Sequence, residues 1–316
     1  MPLKIVITDC SWGGIEVERK HLPKDAIVEG YQCKDEDEII DVCKDADAIL
    51  AEYAPFTKDV LKQLKKCKII SNTSIGVDNI DASAANDLGI AVANVPGYCT
   101  YEVAEHTMAL ILAYRRNIVT YNCTVKNNVW DIGAVPPMRR IAGQVLGLVG
   151  FGSIAQNVAI RAKSFGMRVI THSSTPPELI HSYGVESVEL DYLLHESDII
   201  SSHVPLNEKT IGFFDKKKFQ SMKKIPLFVN TSRGKVVNEE DLVEALEKRY
   251  ISGAALDVLA EEPPAESNRL LKMENVMITP HAGFYSIEAL EEVRRRSALN
   301  IVNYFNKNYQ DINFIK

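Results

Sequence analysis

The chain has 316 residues, 46% of them hydrophobic and 25% charged, so at roughly 100 to 200 residues per domain it is long enough for two globular domains. Lys and Arg total 36 against 42 Asp and Glu. The resulting net charge of -6 disfavours a protein that binds nucleic-acid phosphates or anionic membrane surfaces.

The sequence also carries no sign of a targeting segment or a membrane span. Residues 4–8 already have a strand pattern, without a basic and apolar leader before it. The longest apolar run, 108–114, is followed by Arg115 and Arg116 and is far shorter than the ~20 residues of a membrane span. The six cysteines include no C-x-x-C pair and no adjacent histidine, which favours reduced structural thiols and predicts no metal site. We therefore expect a cytoplasmic protein.

Short β-branched segments alternate with helical patterns over the first 98 residues. The predicted strands are at 4–8, 48–51, 68–71 and 90–93, and the predicted helices are at 35–44, 57–65 and 82–88. Strands that alternate with helices form a parallel sheet with helices on its faces. This part of the chain is therefore predicted to be one α/β unit.

A long helix rich in apolar and small residues is predicted at 102–116, and it leads to a second α/β series. The predicted strands of that series are at 145–149, 168–171, 199–202, 227–230, 253–256 and 276–278. The final helix, 287–304, is expected to return to the first series. The predicted fold class is α/β with two doubly wound parallel-sheet (Rossmann-like) domains, the first of them discontinuous, at 1–98 plus 287–316 and at 99–286.

A glycine-rich turn lies near the start of the second series. The predicted strand 145–149 is followed by Gly150, Gly152 and Ala155 in the spacing G-x-G-x-x-A, and then by a helical pattern. Gly150 allows a tight turn, Gly152 lets the backbone approach a pyrophosphate, and Ala155 lets the helix pack closely on the strand. The motif predicts a dinucleotide site. Where an acidic residue usually binds the ribose, about 20 residues on, the chain has Ser173, so both NAD and NADP stay open.

Three residues of catalytic type follow three different predicted strands. They are Arg233, Glu262 and His281. Taken singly, each has a plain alternative: an exposed ion-pair partner, a loop carboxylate and a structural hydrogen-bonding histidine. Ligands of open α/β sheets bind beyond the carboxyl ends of the strands, however, so these residues are expected to meet there. Together with the nucleotide motif, they indicate an active site.

With these motifs the sequence resembles the D-2-hydroxyacid dehydrogenase family over nearly its whole length. Further segments that carry the resemblance are 76–81, 94–96, 103–106 and 203–206. Segments 161–166 and 279–286 are similar to the branch that contains the C-terminal-binding-protein transcriptional corepressors. The resemblance implies that the discontinuous domain is a flavodoxin-like substrate-binding domain and that 99–286 is a dinucleotide-binding Rossmann domain.

The resemblance implies NAD(P)-dependent reduction of a small 2-oxo acid to the D-2-hydroxy acid, with Arg233, Glu262 and His281 as catalytic residues. Protonated His281 gives a proton to the oxygen on which an alkoxide develops, and it accepts the proton back in the reverse reaction. A carboxylate at Glu262 favours the imidazolium and fixes the ring. The forked, permanently charged guanidinium of Arg233 suits the substrate's carboxylate and carbonyl.

The resemblance also implies binding contacts. The backbone around Ile75, Gly76 and Val77 is expected to bind the substrate carboxylate, together with Arg233 and His281. The implied cofactor contacts are Gly150, Gly152, Ser153, Ile154, Ser173, Val204, Pro205, Thr231, Ser232, Arg233, Asp257, His281 and Gly283. Asp257 is expected to accept a hydrogen bond from the nicotinamide carboxamide. A homodimer through the cofactor domain is also implied.

Several alternatives stay open at this point. A nucleotide-sensing binding protein like the corepressors, with vestigial catalysis, is the alternative to an enzyme. His106 and His203 are interpreted as structural residues, and Glu105 as one partner of a helix-to-helix pair. Many relatives have Arg where this chain has Asn72, which leaves the acid open. Aromatic side chains that suggest an apolar pocket are Tyr98, Trp130, Phe284 and Tyr285, and pyruvate, glyoxylate, hydroxypyruvate and larger oxo acids all fit this pattern.

Overall fold

The computed structural model describes residues 2–315. The chain divides into two compact units, of which unit 1 is Met1–Tyr98 with Ser286–Lys316 and unit 2 is Cys99–Tyr285. The strands are β1 Lys4–Ile7, β2 Ile27–Gly30, β3 Ala48–Ala51, β4 Ile69–Asn72, β5 Ala91–Asn94, β6 Val145–Val149, β7 Arg168–His172, β8 Glu186–Ser187, β9 Ile199–Ser202, β10 Leu227–Asn230, β11 Gly253–Leu256, β12 Val276–Ile278 and β13 Asn313–Phe314. The α-helices are α1 Glu16–His21, α2 Glu36–Cys43, α3 Lys58–Leu61, α4 Ala82–Asp87, α5 Thr100–Arg115, α6 Ile118–Lys126, α7 Ser153–Ser164, α8 Pro177–Ser182, α9 Leu190–Glu196, α10 Lys216–Ser221, α11 Glu239–Glu247 and α12 Ile287–Phe305.

Unit 1 is built on a six-stranded sheet in the order β13-β5-β4-β3-β1-β2. Strands β1 to β5 are parallel, and β13 pairs antiparallel with β5. Every residue of β3 and β4 is buried, as expected of central strands with helices on both faces. Along β3, Leu50 and Ile49 pack into two different apolar clusters because successive side chains point to opposite faces.

Helix α12 packs within unit 1 through apolar and charged contacts. Its Ala298 and Ile301 belong to the same apolar cluster as Leu50. Its Arg294 forms a buried ion pair with Glu18 of α1, with Nε to Oε1 at 2.6 Å and Nη2 to Oε2 at 2.8 Å. This two-bond geometry is the favourable way to bury a guanidinium with a carboxylate.

Unit 2 contains a seven-stranded parallel sheet in the order β12-β11-β10-β9-β6-β7-β8. The chain changes direction across the sheet at β6, which lies between β7 and β9, and such a switch point is where open α/β sheets bind ligands. On one face, Ala104 and Met108 of α5 share a cluster with Ala155 of α7. On the other face, the rings of Phe214 and Phe219 both pack edge-on against Phe228.

The predicted fold class is confirmed. The strands whose bounds agree with the prediction are those at 48–51, 145–149, 199–202, 227–230, 253–256 and 276–278. The helix predicted at 57–65 is shorter, since α3 ends at Leu61, and the short antiparallel β13 was not predicted. Helices α1 and α6 and strand β2 were also missed. For α6 the reason is physical: the helix has no buried residue, so no apolar stripe facing a core distinguishes it.

Candidate active site

Arg233, Glu262 and His281 lie on three loops at one edge of the unit 2 sheet. These loops follow β10, β11 and β12, which are neighbours in the sheet. Because the three strands are parallel, their carboxyl ends meet at the same edge. The sheet order thus brings together residues that are distant in sequence.

His281 and Glu262 form a close pair. His281 Nδ1 lies 2.7 Å from Glu262 Oε2, and the other carboxylate oxygen accepts the backbone N–H of Leu259 at 2.9 Å. An ionised carboxylate only accepts hydrogen bonds, so Nδ1 carries the proton and Nε2 is left to exchange one with another molecule. Burial alone would raise the pKa of Glu262, but the hydrogen bond and charge of His281 outweigh it and lower that pKa. The carboxylate is therefore the stable form.

The backbone of His281 has the left-handed conformation, with φ at 52°. A non-glycine residue adopts this conformation at a cost of about 1–3 kcal/mol and needs surrounding contacts to hold it. Those contacts are present: the N–H of His281 donates to the carbonyls of Asp257 and Thr279, at 2.8 and 3.0 Å. The next two amides, of Ala282 and Gly283, donate to the Asp257 carboxylate at 2.9 and 2.8 Å. Asp257 thus holds the loop that carries the imidazole.

Arg233 lies in a turn that packs directly against the segment before Glu262. A Cβ on Gly234 would overlap the backbone of Leu259 and Ala260, so only glycine allows this approach. The charge of Arg233 contributes to lowering the pKa of Glu262. The turn is braced from inside by buried Asn230, whose Nδ2 donates to the Arg233 carbonyl at 2.9 Å.

Asp257 is itself part of a buried polar network that the sequence did not predict. Its side chain is 3% exposed. Its Oδ1 accepts the Thr279 hydroxyl at 2.6 Å and lies 3.2 Å from Nε2 of His106 on α5. Burial acts to raise the pKa of Asp257, but hydrogen bonds, first from His106 and then from Thr279, outweigh it and lower that pKa. The interpretation of His106 as a structural residue did not include this contact with Asp257 and Thr279.

The glycine turn between β6 and α7 fits a bound pyrophosphate. Gly150 has φ at 95°, and a Cβ there would lie 2.6 Å from the carbonyl oxygen of His203. Gly152 differs, because a Cβ there would meet no atom within 4 Å, which leaves this side of the backbone open. Gly152 is also the N-cap of the 12-residue α7 and provides no side-chain cap. The first amides of α7, from Ser153 and Ile154 onward, lie at the positive end of the helix dipole.

Ser173 follows β7 at the same edge of the sheet. Its Oγ donates to Thr175 Oγ1 at 3.0 Å and accepts the Thr175 amide at 3.1 Å. Thr175 Oγ1 lies 3.4 Å from the carbonyl of Phe151 in the glycine turn. A pair of hydroxyls therefore stands where related nucleotide sites usually have a carboxylate.

The remaining predicted cofactor residues lie at the ends of β9 and β10. Ser232 Oγ is 3.2 Å from Ser202 Oγ, which links the two strand ends. Thr231 is buried, and its hydroxyl lies 2.9 Å from that of Thr107 on α5. After β9, the side chain of Val204 packs on the apolar cluster that contains Phe228, and the carbonyl of Pro205 accepts the hydroxyl of Thr210 at 2.6 Å.

In unit 1, Ile75, Gly76 and Val77 form the turn after β4, and two asparagines fix it. Asn94 Nδ2 donates to the Ile75 carbonyl at 2.5 Å, and Asn72 Nδ2 donates to the Gly76 carbonyl at 2.6 Å. In a trans peptide the N–H points opposite to the carbonyl. The amides of Gly76 and Val77 therefore point away from these asparagines.

Other candidates have structural partners. Within unit 2, His203 is half-buried, its Nε2 lies 2.9 Å from Ser201 Oγ, and burial lowers its pKa to about 4. Glu105 of α5 pairs with Arg161 of α7 at 3.0 Å, which confirms the predicted helix-to-helix pair. Among residues 2–315, no helix is long and apolar enough to cross a membrane. Over the same range, no group of three or more His, Cys, Asp or Glu is placed to hold a metal ion.

Comparisons with known proteins show which enzymes this chain resembles. Residues 108–283 match the family model described as D-isomer specific 2-hydroxyacid dehydrogenase, NAD binding domain. A glyoxylate reductase of Korarchaeum cryptofilum (strain OPF8) is 38% identical over 271 residues, which is 84% of this chain and 82% of that protein. A hydroxypyruvate reductase of Thermotoga maritima is 38% identical over 282 residues, 88% of this chain and 87% of that protein. The solved structure of a D-lactate dehydrogenase from Aquifex aeolicus, complexed with NAD and lactic acid, is 28% identical and covers 98% of each chain with a TM-score of 0.89.

Proposed function

The chain belongs to the D-isomer specific 2-hydroxyacid dehydrogenase family, and we propose that it reduces a small 2-oxo acid to the D-2-hydroxy acid with His281 as the acid-base residue. The 2.7 Å contact between His281 Nδ1 and Glu262 Oε2 carries the proposal. It leaves Nε2 as the atom that gives up or takes a proton. Glyoxylate and hydroxypyruvate are the first acids to test, since related reductases are named for them.

The nicotinamide ring, when bound, supplies the hydride to the carbonyl carbon. As negative charge develops on the carbonyl oxygen, His281 Nε2 donates a proton to it, and in the reverse direction Nε2 removes that proton. Glu262 stabilises the imidazolium by charge and by accepting Nδ1–H. Arg233 binds the substrate's carboxylate and polarises its carbonyl through the planar guanidinium.

The turn of Ile75, Gly76 and Val77 in unit 1 is proposed to bind the substrate carboxylate through backbone amides. The orientation of the Gly76 and Val77 amides, away from Asn72 and Asn94, supports this role. Backbone donors held by side chains are rigid, so they bind an anion with little reorganisation.

Unit 2 holds the residues proposed to bind the cofactor. The open backbone at Gly152 and the start of α7 suits the pyrophosphate, and the remaining predicted contacts lie after the ends of β7, β9, β10, β11 and β12. Asp257 is proposed to accept the carboxamide N–H₂, and the lack of a Cβ on Gly283 leaves room beside it. With Ser173 in place of a carboxylate, we expect the enzyme to use both NADH and NADPH.

The test is a spectrophotometric screen of 2-oxo acids with NADH and NADPH. Wild-type protein should oxidise the cofactor with at least one small acid, and His281→Ala should lower turnover roughly 100- to 10,000-fold, the range of general acid–base catalysis. A folded His281→Ala variant with normal turnover would contradict the assigned role. A wild-type protein that binds the dinucleotide but turns over no oxo acid would favour the corepressor-like alternative.

We also propose a cytoplasmic homodimer that associates through α6 and the segment after it. Helix α6 has no buried residue within the chain, and Trp130 and Ile132 are 89% and 88% exposed. Apolar side chains so exposed in one region typically mark an interface. The scattered spacing of the six cysteines, without a C-x-x-C pair, favours reduced thiols and suits a reducing compartment. Light scattering of wild type and of a Trp130→Glu, Ile132→Glu variant measures the mass, and an unchanged dimer would contradict this interface.

A further inference from the structure

Helix α5 places His106 against the loop that carries His281. His106 Nε2 lies 2.9 Å from Thr279 Oγ1 and 3.2 Å from Asp257 Oδ1, and its side chain is 22% exposed. Nothing in the reaction described above requires this second histidine. Its position calls for a separate explanation.

The direction of these hydrogen bonds follows from counting protons. The Thr279 hydroxyl has one hydrogen, which it donates to Asp257 Oδ1 at 2.6 Å. The hydroxyl oxygen can therefore only accept from His106, so Nε2 of His106 carries a hydrogen. The bonds run in one direction, from the histidine through the threonine to the carboxylate, and hydrogen bonds aligned in this way strengthen one another.

The carboxylate at the end of this chain of bonds determines where the catalytic loop lies. Asp257 accepts the amides of Ala282 and Gly283, and its carbonyl accepts the N–H of His281. These bonds hold His281 in its left-handed conformation. A rotation of the Asp257 side chain would release two of the three amides and let the loop relax.

We propose that His106 is a positioning residue, which fixes the Asp257 carboxylate both directly and through Thr279 and thereby holds the loop of His281 in its active conformation. The proposal deepens the proposed function and rests on it for its catalytic consequence. His106 exchanges no proton with substrate in this scheme. Its effect on the rate comes from the placement of other groups, and a misplacement of about 1 Å can cost roughly 100-fold in rate.

The test compares three variants of the full-length protein. His106→Phe removes the donor while keeping a ring, and His106→Gln keeps an N–H at a similar distance from the backbone. Tyr114→Phe is the matched control. The Tyr114 hydroxyl is likewise on α5, and it donates to the carbonyl of Ser252 at 2.9 Å. Ser252 precedes β11, at the end of that strand away from the site. Each variant is measured by hydrogen exchange of the 279–285 peptide in cofactor-free protein and by kcat and KM for the oxo acid.

We expect His106→Phe to speed hydrogen exchange in 279–285. It should also lower kcat roughly 10- to 100-fold, the effect expected for losing a hydrogen bond to a charged group. The KM for the oxo acid should change little. His106→Gln should recover most of both, and Tyr114→Phe should change neither. Unchanged exchange and kcat in folded His106→Phe would overturn the proposal, as would equal effects in Tyr114→Phe. If wild type turns over no oxo acid, the proposed function fails, and faster exchange in His106→Phe alone would still support the link between His106 and the loop.

Discussion

Replacing Glu52 with glutamine should make the stability of unit 1 less dependent on pH. Glu52 follows β3, and Trp12 Nε1 donates to both of its carboxylate oxygens at 3.0 Å. Burial raises the pKa of Glu52 from 4.5 to about 7, and the negative charge of Asp9 acts in the same direction. The hydrogen bond from Trp12 and the charge of Arg294 oppose the increase without cancelling it.

The direction of this pH effect depends on how many protons Glu52 binds in the folded and in the unfolded state. Between pH 4.5 and about 7 the folded protein binds more protons at Glu52 than the unfolded chain does, so unit 1 loses stability as the pH rises through this window. Well below pH 4.5, Glu52 is protonated in both states and its effect on the free energy of unfolding does not change with pH. Well above pH 7 it is ionised in both states, and the full loss of stability is present. At 1.36 kcal/mol per pKa unit, the loss of stability is about 3 kcal/mol over the full window, and most of it falls between pH 5 and pH 8. Glutamine keeps an acceptor for Trp12 and does not ionise, so Glu52→Gln should lack this loss.

The assay is denaturant unfolding at pH 5 and pH 8, followed by the fluorescence of Trp12. The chain has 2 tryptophans, so every protein in the series also carries Trp130→Phe, which leaves the indole in unit 1 as the reporter. The control is Glu291→Gln, which changes an exposed carboxyl of the same unit. Its stability should change between pH 5 and pH 8 by as much as that of the parent protein. If the parent and Glu52→Gln lose stability equally between the two pH values, the reasoning about Glu52 is refuted.

Three further outcomes can be measured. Glu262→Gln should lower kcat/KM roughly 10- to 100-fold, since His281 would lose a charged partner; unchanged steady-state kinetics would contradict this. Ser173→Asp should lower kcat/KM with NADPH at least ~10-fold while leaving NADH turnover nearly unchanged, because a carboxylate would repel the 2′-phosphate; equal losses with both cofactors would argue against this position for the ribose. Arg294→Met should destabilise unit 1 by about 3–5 kcal/mol because it leaves Glu18 buried without its ion-pair partner, and Trp12-detected unfolding should show recovery when Glu18→Gln is added.

Features with a local pattern could be predicted from the sequence. The period of apolar residues is fixed by backbone geometry, so the central strands of both sheets could be placed within a residue or two of their ends. The turn at Gly150 depends on residue types adjacent in sequence, and the structure has φ at 95° there, as a glycine-only turn requires. Helix α6 gave no periodic apolar pattern because none of its residues is buried against a core.

The residues of the candidate site were also identifiable from sequence as types, since Arg233, Glu262 and His281 each follow a predicted strand. Their partners were not identifiable in this way. Whether Glu262 contacts His281 depends on β11 lying beside β12, and Gly234 matters because another segment's backbone lies against it.

His106 shows most clearly where the sequence alone stops. The helix around it could be predicted from its apolar residues, but the contact with Asp257 depends on how that helix docks against the ends of β11 and β12. The sequence by itself determined the elements, the nucleotide turn and the chemical types at the strand ends, because periodicity and turn geometry act between near neighbours in the chain. Only the tertiary structure decided which side chains share a proton, since hydrogen bonds require atoms to lie within about 3 Å and strand order with helix docking sets those distances.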